Sequence, residues 1–119
     1  MRRGEIWVAR LSPSQGGEAG KTRPVLILQD DSLNQEDSET VIVLPLTSQI
    51  RQGVQHLRIT VPVRDRLLKE SQVIVEKPMT LDRRRFGEGP LAILTTEEMT
   101  AVEHGLLAVM GMASYLPDS

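Results

Sequence analysis

Apolar residues in this chain fall in short runs separated by polar stretches that carry Gly and Pro, the pattern of an antiparallel, mostly β core. The runs predict strands near Glu5 to Ala9, Pro24 to Gln29, Thr40 to Leu46, His56 to Pro62 and Gln72 to Glu76. The fourth alternates most cleanly, with Leu57, Ile59 and Val61 on one face and His56, Arg58 and Thr60 on the other. That strand is expected to bury one side and present a polar, partly basic one. The second and third are apolar at nearly every position, which suits strands covered on both faces at the centre of the sheet.

The period changes in the last third. Thr95 and Glu98 form a capping box, and Leu94 with Met99 fits the hydrophobic staple that fixes a helix entry. A helix is expected to run to about Met110, with Met99, Val102, Leu106 and Val109 on one apolar stripe and Gly111 closing its end. The stripe should pack across an open side of the sheet. Leu107 and Met110 widen it, as further core or as a dimer contact. The stretch from Ala113 to Ser119 carries no packing pattern and is expected to be a frayed, disordered tail, which leaves residues 1–112 as one domain.

At 119 residues the chain is long enough to remove roughly two-thirds of its unfolded surface from water, so a single core suffices. The absence of Cys excludes a disulfide framework and a thiolate metal site, and it suits a reducing cytoplasm. The first apolar segment is too short for a signal sequence or a membrane span, so a soluble cytoplasmic protein with no membrane association is expected. A net charge of −2, from 14 basic and 16 acidic residues, argues against a nucleic-acid coat protein, whose affinity rests on a large basic excess. It leaves room for an enzyme with a local positive groove. Asp30, Asp31, Glu36, Asp37 and Glu39 crowd one loop, whereas Arg51, Arg58, Arg64, Arg66, Lys69 and the run Arg83-Arg84-Arg85 follow it.

Two strand ends carry the candidate chemistry. Gly20-Lys21-Thr22-Arg23-Pro24 leads basic side chains from a glycine-rich loop into an apolar run, and Pro45-Leu46-Thr47-Ser48-Gln49 leaves another. The two ends could meet around one anion. A held guanidinium at Arg23 suits the charge that builds on a phosphorane, through paired hydrogen bonds in a partly dry site. The alternative is an ordering ion pair between Arg23 and Glu18 or Glu5. Thr47 can donate to a phosphate oxygen alongside the N–H groups of Ser48 and Gln49, or it can serve its own turn as strand-end hydroxyls commonly do. Chemistry at such an anion that moves a proton needs a base, which arginine supplies poorly; Glu18 is the first candidate and His56 the second. The acidic loop lacks the spacing of a calcium site, no His pair has metal-site spacing, and no Ser has a convincing His partner. With one Trp, one Tyr and one Phe, extended base stacking is not the main mode of binding.

The opening Arg3-Gly4-Glu5-Ile6-Trp7, the loop from Gly16 to Val25 and the Pro45-to-Gln49 exit stand in the order and spacing of the MazF/PemK-type toxins, and the chain resembles that family from Arg3 to about Met112. The resemblance implies an SH3-like barrel of the CcdB/PemK toxin type, mainly β with a C-terminal helix. It implies a homodimer that cuts single-stranded RNA without metal or other cofactor, leaving 2′,3′-cyclic phosphate and 5′-hydroxyl ends, and that a cognate antitoxin silences. Arg23 and Thr47 fall where the family has its catalytic arginine and threonine, and Glu18 matches its glutamate. RNA contacts are then expected from Lys21, Ser48, Gln49, Arg51, His56, Glu76 and Lys77. Gly17 replaces a frequent serine, and Glu76, Lys77 and Met79 replace an aspartate, a glutamine and an arginine, so the base preference does not carry over. A gyrase-inhibiting toxin of the same fold acts through a tryptophan-bearing tail, absent from residues 112–119; a toxin that only binds its antitoxin is the remaining alternative.

Overall fold

The computed structural model describes residues 1–11, 21–34, 38–54 and 57–117. Its strands are β1 (Glu5–Arg10), β2 (Thr22–Ile27), β3 (Thr40–Thr47), β4 (Arg58–Val61), β5 (Ser71–Ile74), β6 (Met79–Asp82) and β7 (Ala92–Ile93), followed by one helix, α1 (Thr96–Val109). The strands join in the order β4-β5-β3-β2-β1-β7, with β6 also paired to β3, and every pairing is antiparallel. An isolated bridge from Ala9 to Phe86, just beyond β6, curls the sheet back onto β1. The result is the mainly β, curled sheet with a C-terminal helix that the apolar pattern predicts.

Two-sided burial of β2 and β3 follows from their continuous apolar runs. One face contributes Leu26, Leu44 and Leu46 to a core shared with Ile6, Val61, Val73 and the helix residues Met99 and Val102. The other contributes Val25, Ile27, Val41 and Val43 to a second core with Ala9 and Leu81, flanked by Trp7 and Phe86. Each such side chain contributes about 1.5–3 kcal/mol on leaving water, so the central pair dominates the apolar energy of the fold.

Several boundaries move. β2 begins at Thr22 rather than Pro24, because β1 continues to Arg10 and offers Thr22 and Arg23 partners in register, Arg10 and Ala9. Arg23 therefore lies within a strand. β4 is confined to Arg58–Val61 and β5 to Ser71–Ile74, with Glu76 in the following turn; His56 lies outside the described residues. β6 and β7 have no counterpart in the sequence reading, since they are only four and two residues long. The tail continues past the helix into a single exposed 3-10 turn at Ala113–Tyr115.

The opening Arg-Gly-Glu-Ile-Trp segment is a staple. Arg3 donates from Nε to the Leu28 carbonyl at 2.9 Å and pairs through Nη1 with Glu103 of α1 at 2.8 Å, so it joins sheet to helix. Gly4 turns the chain at φ +92°, a conformation side-chain-bearing residues rarely adopt. Glu5 Oε1 accepts from the Arg2 amide at 2.8 Å and from Trp7 Nε1 at 3.0 Å, which ties the opening turn to the start of β1.

The helix forms as its sequence predicts. Thr95 Oγ1 accepts from the Glu98 amide at 3.1 Å while Glu98 Oε1 accepts from the Thr95 amide at 2.8 Å, a complete capping box. At the other end, Gly111 takes φ +74°, and the Gly111 and Met112 amides donate to Ala108 and Leu107, a Schellman closure. Met99 and Val102 are buried and Leu106 packs on the core, whereas Val109 and Met110, expected on or beside the stripe, are exposed, because the sheet ends before the last turn does.

Glu98 also takes both Arg64 guanidinium nitrogens at 2.6 Å, fastening the β4–β5 connection to α1. Burial opposes its ionised form, but the Arg64 and Thr95 hydrogen bonds outweigh it and hold its pKa below the ordinary value. A lowered folded pKa stabilises above the unfolded-state value, about 4.3, and that contribution is lost as pH falls through the folded value. Glu98→Gln should therefore cost about 1–3 kcal/mol at neutral pH, less than a fully dry pair. In urea unfolding, the gap between wild type and variant should close below about pH 4.

Candidate functional site

The cleft is built on the end of the central strand pair. β2 and β3 are matched Val25 to Pro45, Leu26 to Leu44 and Ile27 to Val43, and extending that register by two residues sets Arg23 opposite Thr47. Both line a cleft of about 520 Å³. Its floor is apolar, from Val8, Pro24, Leu46, Leu67 and Leu91, and its rim is polar, from Thr22, Arg23, Thr47, Ser48, Gln49, Arg66, Lys69 and Glu88. An apolar floor beneath charged groups keeps the local dielectric low and strengthens their hold on an anion.

Arg23 is partly buried, and among the described residues it makes no side-chain hydrogen bond or ion pair. The ordering pair with Glu5 is not formed, and Glu18 lies outside the described residues. The Arg23 backbone is held within β2, and its guanidinium has no anionic partner among the described residues. Thr47 Oγ1 accepts from the Gln49 amide at 3.1 Å. The hydroxyl thus serves its own turn as an acceptor and keeps its proton free to donate into the cleft. The Gln49 N–H is consumed by this bond, so it is not a donor to a ligand there, contrary to the sequence expectation.

The turn after Thr47 is held by Gln72, which is 4% exposed and paired opposite Thr47 in β5. Its Oε1 accepts from the Arg51 amide at 3.0 Å, and its Nε2 donates to the Arg51 carbonyl at 3.0 Å and to Thr60 Oγ1 at 3.2 Å. A single amide thus fixes the path of residues 48–51. The sequence reading placed Gln72 only as a strand start; a polar residue opening an otherwise buried strand, Gln72-Val73-Ile74, was the available clue.

The remaining predicted site residues scatter. Ser48 and Gln49 line the cleft, whereas Arg51 lines a neighbouring hollow of about 270 Å³ with Arg58, Thr60 and Glu70. Lys21 is exposed just outside the cleft lining, with its carbonyl accepting from the Leu11 amide. Glu76 and Lys77 are exposed in the β5–β6 turn, at the end of β5 away from Thr47, and do not reach the cleft. Glu18 and His56, the two candidate bases, lie outside the described residues. The arginine run is engaged within the fold: Arg83 Nη1 donates to the Ser38 carbonyl, Arg84 clasps Asp82, and Arg85 Nη1 donates to the Arg10 carbonyl. The Arg84 side chain and amide bring the Asp82 pKa down to about 2. Arg66 and Lys69, read from the sequence only as part of the basic stretch, and Glu88, not singled out there, also line the cleft, from segments distant in sequence from Arg23 and Thr47.

Residues 2–110 match the family model of the PemK-like, MazF-like toxin of type II toxin-antitoxin systems. The chain belongs to that family. Its fold is shared with family structures at low identity. The MazF-mt6 toxin of Mycobacterium tuberculosis is similar at TM-score 0.74 and 21% identity, over 91% of this chain and 97% of that one. MazF in a MazE-MazF crystal form from Deinococcus radiodurans is similar at TM-score 0.78 and 22% identity, over 94% and 96%. An endoribonuclease in complex with its cognate antitoxin from a mycobacterial species is similar at TM-score 0.73 and 21% identity, over 100% and 99%. In this toxin-family fold no helix among the described residues is long and apolar enough to cross a membrane.

Gln72→Ala should cost about 1–3 kcal/mol in urea unfolding, because it strips buried partners from the Arg51 backbone. The Arg51 amide should then exchange with D2O faster than in wild type, by mass spectrometry, while the amides of α1 keep their protection.

Proposed function

We propose that the protein is the toxin of a type II pair and acts as a cytoplasmic endoribonuclease on single-stranded RNA, independent of metal. The observation that carries this reading is Arg23, without an ion pair among the described residues, lining one apolar-floored cleft with a Thr47 hydroxyl whose proton is left to donate. A phosphodiester seated there gives Arg23 the non-bridging oxygens and Thr47 one further hydrogen bond. The 2′-oxygen attacks phosphorus as its proton passes to Glu18; the phosphorus–O5′ bond breaks, and the 5′-oxygen gains a proton to leave as a hydroxyl. The other product is the 2′,3′-cyclic phosphate. Arg23 bears the charge that grows on the phosphorane and is best cast as its stabiliser, since a guanidinium donates hydrogen bonds and offers no lone pair to act as a base. A homodimer would set two such clefts along one groove, and a cognate antitoxin with an acidic segment would block them by standing in for RNA charge.

End-mapping of a long mixed-sequence RNA incubated with the protein in EDTA tests this. Discrete cuts with 5′-hydroxyl ends are expected. Arg23→Ala should slow them by about 100- to 1000-fold, and Thr47→Ser, which keeps the hydroxyl, should cut faster than Thr47→Ala. Intact RNA with wild-type protein, or cuts that persist undiminished in Arg23→Ala, would refute the proposal.

A further inference from the structure

The wall of the cleft facing the Arg23 and Thr47 rim is a turn built to hold its shape. Arg64 and Leu67 exchange backbone hydrogen bonds at 3.2 and 2.8 Å around Asp65, whose φ is +47°. The Arg66 amide donates to the Leu91 carbonyl at 2.9 Å, Leu67 is buried at 3% exposure, and Arg64 is clasped by Glu98. The turn is thereby tied to the 88–91 segment, to the core and to α1. What it presents between these anchors is Arg66, Leu68 and Lys69, all exposed and all lining the cleft. A rigid turn carrying two cations and a bare leucine over a cleft is far more structure than a solvated loop needs.

The facing segment is equally fixed. Val8 donates to the Glu88 carbonyl at 2.8 Å and Gly87 to the Val8 carbonyl at 2.8 Å, so Glu88 rides on β1 beside the Ala9 position that pairs with Arg23. Gly89 lies so close to Trp7 that an added Cβ would overlap the ring, at 2.7 Å from Cγ. The Glu88 carboxylate pairs with Arg66 Nη2, both side chains more than half exposed. Such an exposed pair is weak and engages only Nη2, so a phosphate that takes two guanidinium N–H groups can compete for Arg66. Lys69 has no ion-pair partner among the described residues.

We propose that the 64–69 turn is a second phosphate-binding wall for single-stranded RNA, in which Arg66 leaves Glu88 to take a backbone phosphate other than the one at Arg23. This rests on the reading of the cleft as an RNA site. In the free protein Glu88 holds Arg66 in place and masks it; on binding, the strand displaces Glu88, and Lys69 adds unspecific attraction along the same edge.

The test is fluorescence anisotropy with labelled single-stranded RNA of randomised sequence whose 2′-hydroxyls are replaced by fluorine, so that it binds but cannot be cut. Wild type, Arg66→Ala, Glu88→Gln and the Arg66→Ala/Glu88→Gln double variant are titrated over a range of salt, with thermal unfolding as the folding control. The double variant preserves the net charge of the pair, which separates a contact from a field effect. It should bind about tenfold more weakly than wild type, with a salt slope shallower by about 0.7, the value for one lost single-strand phosphate contact. Glu88→Gln alone should bind more tightly than wild type. A double variant that binds as wild type does, or a Glu88→Gln that binds more weakly, overturns the inference while leaving the RNA site standing. A wild-type protein that binds no RNA overturns the RNA reading of the cleft itself, and this inference with it.

Discussion

The pairing of β2 with β3 is the constraint on which the rest depends. Both strands are apolar on both faces, so neither can be released without exposing two cores at once. Apolar content alone does not fix their register, because a slipped pair would still be apolar. Buried amides fix it. Near the loop end, Gln29 accepts from the Ile42 amide at 3.3 Å and its Nε2 donates to Asn34 Oδ1 at 3.1 Å. At the other end of β3, Gln72 holds the turn that follows Thr47. With both ends of β3 held, Arg23 and Thr47 come to line one cleft.

The same pairing explains how a chain with a net negative charge can carry a cationic site. At the opposite end of β3, the carboxylates of Asp30 and Asp31 are used internally. The Ser32 hydroxyl and amide lower the Asp30 pKa, and the Arg3 amide does the same for Asp31. The other end of the strand pair is left to Arg23, Arg66 and Lys69 around an apolar floor. Local arrangement, rather than overall composition, sets what the cleft attracts.

Much of this was legible in the sequence. The central strands, the capping box at Thr95 and Glu98 and the glycine closure at Gly111 rest on local patterns, and local patterns are what a sequence displays. Arg23 and Thr47 stood out because each joins an apolar run at its functional end and because the motifs around them resemble the toxin family. What escaped depends on pairing across distance. β6 pairs along β3, and at four residues its own Met-Thr-Leu-Asp alternation is too short to mark a strand by itself. Arg64 finds Glu98, and Arg66 finds Glu88, across segments whose approach only the fold reveals. The arginine run at 83–85 looked available for RNA and instead serves neighbouring carbonyls and Asp82, because a chain curling back to β1 needs its turns fastened.

The central claim is that the β2–β3 register creates one phosphate site between Arg23 and Thr47. A crystal structure of the protein bound to a single-stranded RNA with fluorine in place of the 2′-hydroxyls tests it most directly. The account predicts a backbone phosphate within hydrogen-bonding distance of both the Arg23 guanidinium and the Thr47 hydroxyl, with the β2 and β3 backbones unmoved. RNA ordered elsewhere on the surface, with this cleft empty or with Arg23 turned away from the strand, would contradict it.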